Sequence, residues 1–209
     1  MFAEEHGIEP NTKNNMALKI PNFFRRLAEI EVEQTLDFLA SNRNQHDAEA
    51  AVLSKSAATD SDLAEFAGDT KAHLDELLLL AEQSAVQALY RVVELNSVKI
   101  AEWRWGAETV KTKQLFRADR LESELSLQLQ LDVKKLPGFS AVDELRLLNN
   151  AIKHEGVVSD KLAKYAGWTA GSPFANLDSF VRRVAPDVPK YLEALAASII
   201  PSQGKPSGV

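Results

Sequence analysis

The chain has 209 residues, 45% of them hydrophobic and 26% charged, with a formal net charge of −6; this is the profile of a globular protein large enough to bury a core unaided. It has no cysteine, which excludes disulfides, thiolate nucleophiles and cysteine-ligated zinc or iron–sulfur clusters, and fits a reducing compartment. The charge is uneven, with −9 over residues 1–103, +2 over 104–164 and +1 over 165–209, so the acidic first half argues against a surface coated in nucleic acid and the second half leaves room for a local anion site.

The opening MFAEEHGIEPNTKNN lacks the basic start and apolar run of a signal peptide, and residues 1–20 read as a polar, flexible arm. The apolar run LLLLA at Leu77–Ala81 is far short of the roughly 20 residues of a membrane helix. A cytoplasmic protein with no membrane contact is expected.

Pro21 suits the first turn of a helix, and from Asn22 the residues Phe23, Leu27, Ile30, Leu36 and Leu39 recur at mostly helical steps. The polar stretch NRNQHD at residues 42–47 predicts that this helix fades there. After a segment of small residues, Asp60 or Ser61 is placed to cap a second helix. That helix runs without proline to a stop at Gly106, as one very long helix or as two broken near Gly68.

Val110, Leu115, Leu121, Leu125 and Leu129 continue on helical spacing, while the alternation in SLQLQLDV also suits a strand, so residues 125–133 stay open between the two. Pro137–Gly138 predicts a turn, after which Ser140 is placed to cap the helix of ELRLLNNAIKH, and Gly156 to end it. Ser159 opens a short helix, Pro173 or Asn176 starts NLDSFVRRVA, and Pro186 and Pro189 separate it from KYLEALAASII. The tail, residues 201–209, reads as disordered. The chain as a whole predicts a single all-α domain over 21–200, a helical bundle with a long antiparallel helix pair.

The stretch LRLLNNAIKHEGVVSDKL carries the most chemistry. At 100° per residue Ala141, Leu145, Leu148 and Ile152 share a core-facing arc, while Arg146, Asn150 and His154, four and four apart, form a polar stripe flanked by Lys153. Arg146 and Lys153 suit a phosphate or carboxylate, His154 can move a proton near neutral pH, and the Asn150 amide can orient either. That is the minimum equipment for metal-free RNA cleavage, where a base activates the 2′-hydroxyl and cations steady the phosphoryl oxygens. The structural alternative is ordinary: cations at a helix C-terminus complement the dipole without further purpose.

ELRLLNNAIKHEGVVSDKL resembles the C-terminal helix of HEPN-type domains that end in N-x-x-K-H before a glycine, and ALYRVVELNSVKIAEW resembles their earlier long helix, with Glu94 in its middle. The resemblance implies a helical bundle with a long antiparallel pair, often a homodimer, and for many members a cofactor-free, metal-independent endoribonuclease of toxin–antitoxin or phage-defence systems. It implies His154 and Arg146 as the catalytic pair, with Asn150, Lys153, Asn149 and Glu94 as candidate substrate-binding residues. The family motif has four to six residues between arginine and histidine, whereas Arg146 and His154 are separated by seven. The rival expectation is therefore a non-catalytic helical interaction module, a degenerate HEPN-like or antitoxin-like protein that binds a protein partner.

Other candidates read as structural. His73 and Glu76 sit three apart, half of a metal site without a second half. Trp103 and Trp105 flank Arg104, which suits base stacking, but one core tryptophan and one at a helix end or an interface is the plainer reading. No phosphate-binding glycine loop or nucleophile elbow is present.

Overall fold

The computed structural model describes residues 11–59 and 62–200, and within them the chain is all-α. Helix α1 runs Asn11–Thr59 and α2 Asp62–Trp105, followed by α3 Ala107–Thr112, α4 Ala118–Leu129, α5 Phe139–His154, α6 Leu177–Val184 and α7 Asp187–Ile199. Short 3-10 turns lie at Val133–Lys135 and Leu162–Lys164.

Helices α1 and α2 form the expected long antiparallel pair. Glu31 meets Asn96, Arg43 meets Glu82 and His46 meets Asp75, so positions ascend on one helix as they descend on the other. Helix α7 lies against α1 and α2, α5 packs on α2 and α7, and α6 joins α2. Phe24, Leu39, Leu89, Ile100, Leu145 and Leu192 are fully buried in the single core between them. Among the described residues, none from 40–84 belongs to that core. The pair thus continues beyond the bundle as a two-helix arm; residues 40–59 of α1 alone extend it by about 30 Å at the α-helical rise.

Several boundaries differ from the sequence reading. Helix α1 already includes residues 11–20, which the sequence placed in a flexible arm, and Pro21 lies inside it rather than at its start. An interior proline forfeits a backbone bond, but Ile20 and Phe24 on either side pack into the core and hold the turn. The helix also runs through NRNQHD, because Arg43 and His46 bridge to Glu82 and Asp75 on α2 and give that polar stretch partners. Residues 1–10, the candidate cap at Asp60 or Ser61 and the tail 201–209 lie outside the described residues.

Gly106 ends α2 as expected, donating its N–H to the Glu102 carbonyl. Residues 125–133 resolve as helix to Leu129, a left-handed Gln130 (φ 51°) and then a 3-10 turn. Helix α5 begins one residue before Ser140. Gly138, with φ 78°, is its N-cap, and the Ser140 hydroxyl caps nothing. The reason is packing: a Cβ at Gly138 would stand 2.5 Å from the Asp187 carbonyl oxygen of α7, so the approach of α7 reserves that place for glycine. Gly156 closes α5, its N–H donating to the Ala151 carbonyl at 3.0 Å. Of the tryptophans, Trp105 packs on the core and Trp103 is exposed.

Candidate functional site

On α5 the core face is turned from the expected arc. Leu145 and Leu148 are fully buried, but Val142, Glu144 and Asn149 are buried too, while Ala141 and Ile152 are only partly covered. The consecutive asparagines therefore serve different surfaces. Asn149 is 1% exposed, and its side-chain Oδ1 has no hydrogen-bond partner among the described residues. Asn150 is half-buried at the edge, and Lys153 and His154 are exposed on the last turn.

Arg146 is held within its own helix. Its Nε and Nη2 donate to Asp143 Oδ1 at 3.1 and 2.6 Å. The other oxygen of Asp143 accepts the Tyr165 hydroxyl at 2.8 Å. The phenol of Tyr165 is pushed up to about 12, by burial first and then by that hydrogen bond, so it stays a donor throughout the physiological range. The guanidinium charge is thus balanced by a fixed carboxylate, and its orientation is set before any ligand arrives.

Arg146 and Glu94 are brought to the same place. Both line a cleft of about 90 Å³ between α2, α4, α5 and α7. Asn149, Asn150, Lys153 and His154 are not among its lining residues. The expected row of guanidinium, amide and imidazole is divided, with Arg146 at the cleft and His154 on an exposed helix end.

The cleft wall is mostly apolar, from Val93 and Val98 on α2, Leu121 and Leu125 on α4 and Phe139 and Val142 on α5. Into it face Tyr90, Ser97 and Tyr191, with relative exposures of 7%, 8% and 8%. Their hydroxyls have no hydrogen-bond partner among the described residues, yet none is sealed from solvent. Buried hydroxyls normally find partners, so three around one cavity without one among the described residues are left to water or a ligand. Burial pushes the Tyr90 phenol up to about 12, with Glu94 adding to the shift. The Tyr191 phenol is raised by burial, Tyr90 and Glu122. Both are neutral donors at neutral pH.

No protein-family model, curated protein or solved structure matches this chain. Its own residues therefore carry the functional argument. Tyr90, Ser97 and Tyr191 escaped the sequence reading, although Tyr90, Glu94 and Ser97 fall at i, i+4 and i+7 on one face of α2. Tyr191 arrives from a distant helix and had no local signal.

A second polar cluster is structural. Glu144, 3% exposed, accepts the Trp168 indole N–H at 2.8 Å and both Arg183 terminal nitrogens, at 2.7 and 3.1 Å. Arg183 also stands 5.2 Å from the Phe180 ring centroid, and Trp168 meets Phe180 edge-on. This fastens the loop after α5, which carries Trp168, and helix α6 to α5 itself. His73 and Glu76 are exposed and 3.9 Å apart, and no group of three or more potential metal ligands gathers among the described residues. Among those residues, no helix is long and apolar enough to cross a membrane.

Proposed function

We propose that this protein is a non-catalytic helical interaction module whose binding element is the α1–α2 arm. The supporting observation is an apolar face that the bundle leaves uncovered. Phe66, Leu77 and Leu80 are well exposed and lie within an arc of about 60° on α2 at the helical repeat. Beside them runs a groove lined by Ala48, Glu49, Val52, Leu53, Thr70 and Leu74. Large apolar side chains gathered on one exposed face mark an interaction site.

Charge selects the partner. Residues 40–80 hold 3 Lys+Arg against 8 Asp+Glu, a net of −5. A second copy would bring an equally acidic arm alongside, which works against self-pairing at ordinary ionic strength. A basic amphipathic helix of another protein satisfies both features, its apolar stripe filling the groove and its cations meeting the acids.

The test uses the full chain and three synthetic helical peptides: one basic and amphipathic, one acidic with the same apolar stripe, and one basic without the stripe. NMR shifts confined to residues 45–80 with the first peptide alone, abolished by Leu77→Glu, are expected. Equal binding of the acidic peptide, shifts on the bundle instead, or a dimer through the arm in sedimentation would each overturn the assignment of partner.

A second reading is the metal-independent ribonuclease. It is favoured by Arg146, Lys153 and His154 all reaching solvent on one helix, and it ranks second because Asp143 occupies Arg146 and His154 lies outside the cleft. RNA incubated with the protein in EDTA decides it: cleavage abolished by His154→Ala establishes the activity, and intact RNA removes it.

A further inference from the structure

We propose that the cleft between α2, α4, α5 and α7 is a binding site for an organic cation with an apolar body, of the class of the alkyl and aryl-alkyl amines. The site is distinct from the arm and does not depend on its partner.

Three observations converge. The apolar wall of Val93, Leu121 and Leu125 can cover a hydrocarbon body, and the volume of about 90 Å³ limits that body to a small one. The open hydroxyls of Tyr90, Ser97 and Tyr191 are each in residues more than nine-tenths buried and have no partner among the described residues. A polar ligand group that takes them up replaces water lost on entry, and without it their hydrogen-bonding capacity is wasted.

Charge fixes the class. Glu94, Glu122, Asp143 and Arg146 line the cleft, and Asp143 is already neutralised by Arg146 at 2.6 Å. Glu94 and Glu122 remain, a lining charge of −2. Their protein partners are distant and exposed: Arg91 lies 3.9 Å from Glu94, and Lys134 lies 3.7 Å from Glu122. Such pairs contribute little and yield readily to a competing cation. Beyond burial, Glu94 raises the Tyr90 phenol against an opposing contribution from Arg146, and Glu122 adds to the rise at Tyr191. An anionic head seeking Arg146 would meet those carboxylates and a guanidinium already engaged. An ammonium meets two carboxylates, hydroxyl oxygens as acceptors and aromatic rings that favour cations.

The experiment titrates the full chain with hexylammonium, 2-phenylethylammonium, hexanoate and 1-hexanol by calorimetry, and locates binding by NMR. Both amines bind in the millimolar range or tighter and shift Tyr90, Ser97 and Tyr191. Hexanol binds at least about tenfold more weakly and hexanoate is excluded, tenfold corresponding to one carboxylate–ammonium contact of ordinary strength. Glu94→Gln weakens the amines by about tenfold and leaves hexanol unchanged. That unchanged hexanol binding shows that the cleft is intact in the variant. Tyr90→Phe, which removes only a hydroxyl, weakens the amines several-fold. Preferred binding of hexanoate, equal binding of hexanol, amine shifts elsewhere on the protein, or no binding up to about 10 mM overturns the proposal.

Discussion

Replacing one side of the Glu144–Arg183 contact should cost more than replacing the other. Glu144 is 3% exposed, whereas the Arg183 side chain is 54% exposed. In Arg183→Ala the carboxylate stays in the interior with only the Trp168 indole as donor. An uncompensated buried charge of this kind costs about 3 kcal/mol or more. In Glu144→Gln the amide oxygen still accepts from Trp168, and the exposed guanidinium turns to water, so the loss should stay near 1 kcal/mol. For a chain of this length each kcal/mol moves the midpoint by roughly 2–4 °C. Thermal unfolding followed by circular dichroism should therefore show Arg183→Ala falling by about 6–12 °C and Glu144→Gln by about 2–4 °C. Adding Glu144→Gln to Arg183→Ala should restore part of the loss, because it removes the stranded charge. If Glu144→Gln is the more damaging of the two, or the double variant is worse than Arg183→Ala, the burial argument is wrong.

The arm should respond to pH through His46, whose ring nitrogens lie 3.0 Å from Asp47 and 2.8 Å from Asp75. Only the imidazolium donates from both nitrogens, and its pKa is raised by those hydrogen bonds, Asp47 first. A raised histidine stabilises fully below its ordinary value, about 6.5, and the contribution is lost as pH rises through the folded value. Asp75 is lowered, by Lys71 first and then His46, so its contribution is present above the ordinary carboxylate value and lost as acid titrates it. Hydrogen exchange of arm amides, corrected for intrinsic rates, should be slowest between about pH 4 and 6.5 and quicken above, and His46→Leu should flatten the alkaline side. An unchanged profile in His46→Leu would dismiss the clamp. Gly138→Ala should cost about 2 kcal/mol or more, since a side chain there meets both a left-handed backbone and the Asp187 carbonyl. Gly68, within α2 and with open space around it, gives the contrast: Gly68→Ala should stabilise by about 0.5–1 kcal/mol. Equal effects at the two glycines in urea unfolding would contradict both assignments.

The all-α class and the paired long helices were legible because periodicity and the glycine stops at 106 and 156 are local signals. What misled were signals that tertiary contacts overrule. NRNQHD carries stop-type residues, yet two of its side chains reach carboxylates on α2, a partner no local window contains. Ser140 has the right chemistry for a cap but lost the position to Gly138, whose role depends on α7 approaching from fifty residues away. The stripe on α5 is divided for a different reason. A helical wheel orders side chains around an axis without saying which neighbour covers each sector. Asn149, a candidate for binding substrate, is buried; Arg146, expected to meet a phosphate, is held by Asp143. Glu94, expected among the substrate-binding residues, lines the cleft, whose other polar members Tyr191 and Glu122 come from other helices.

The lopsided charge finds its physical reason in the arm. The core has no members there among the described residues, so the two helices hold each other through a narrow seam of half-buried Leu53, Leu74 and Leu78, with ion pairs across it. A seam that narrow leaves apolar side chains outside, and exposed apolar surface on a protein at micromolar concentration invites self-association. Net negative charge opposes that association without filling the groove. The acids therefore allow an apolar face to remain open, and they are the reason the proposed partner is a basic helix. The cleft repeats the arrangement on a smaller scale, with hydrocarbon walls, hydroxyls unpaired among the described residues and two carboxylates in long, exposed ion pairs with Arg91 and Lys134. Both surfaces lie along α2. One helix thus carries, on its outer half, a face suited to a basic helix and, on its inner half, Tyr90, Glu94 and Ser97 suited to a small cation.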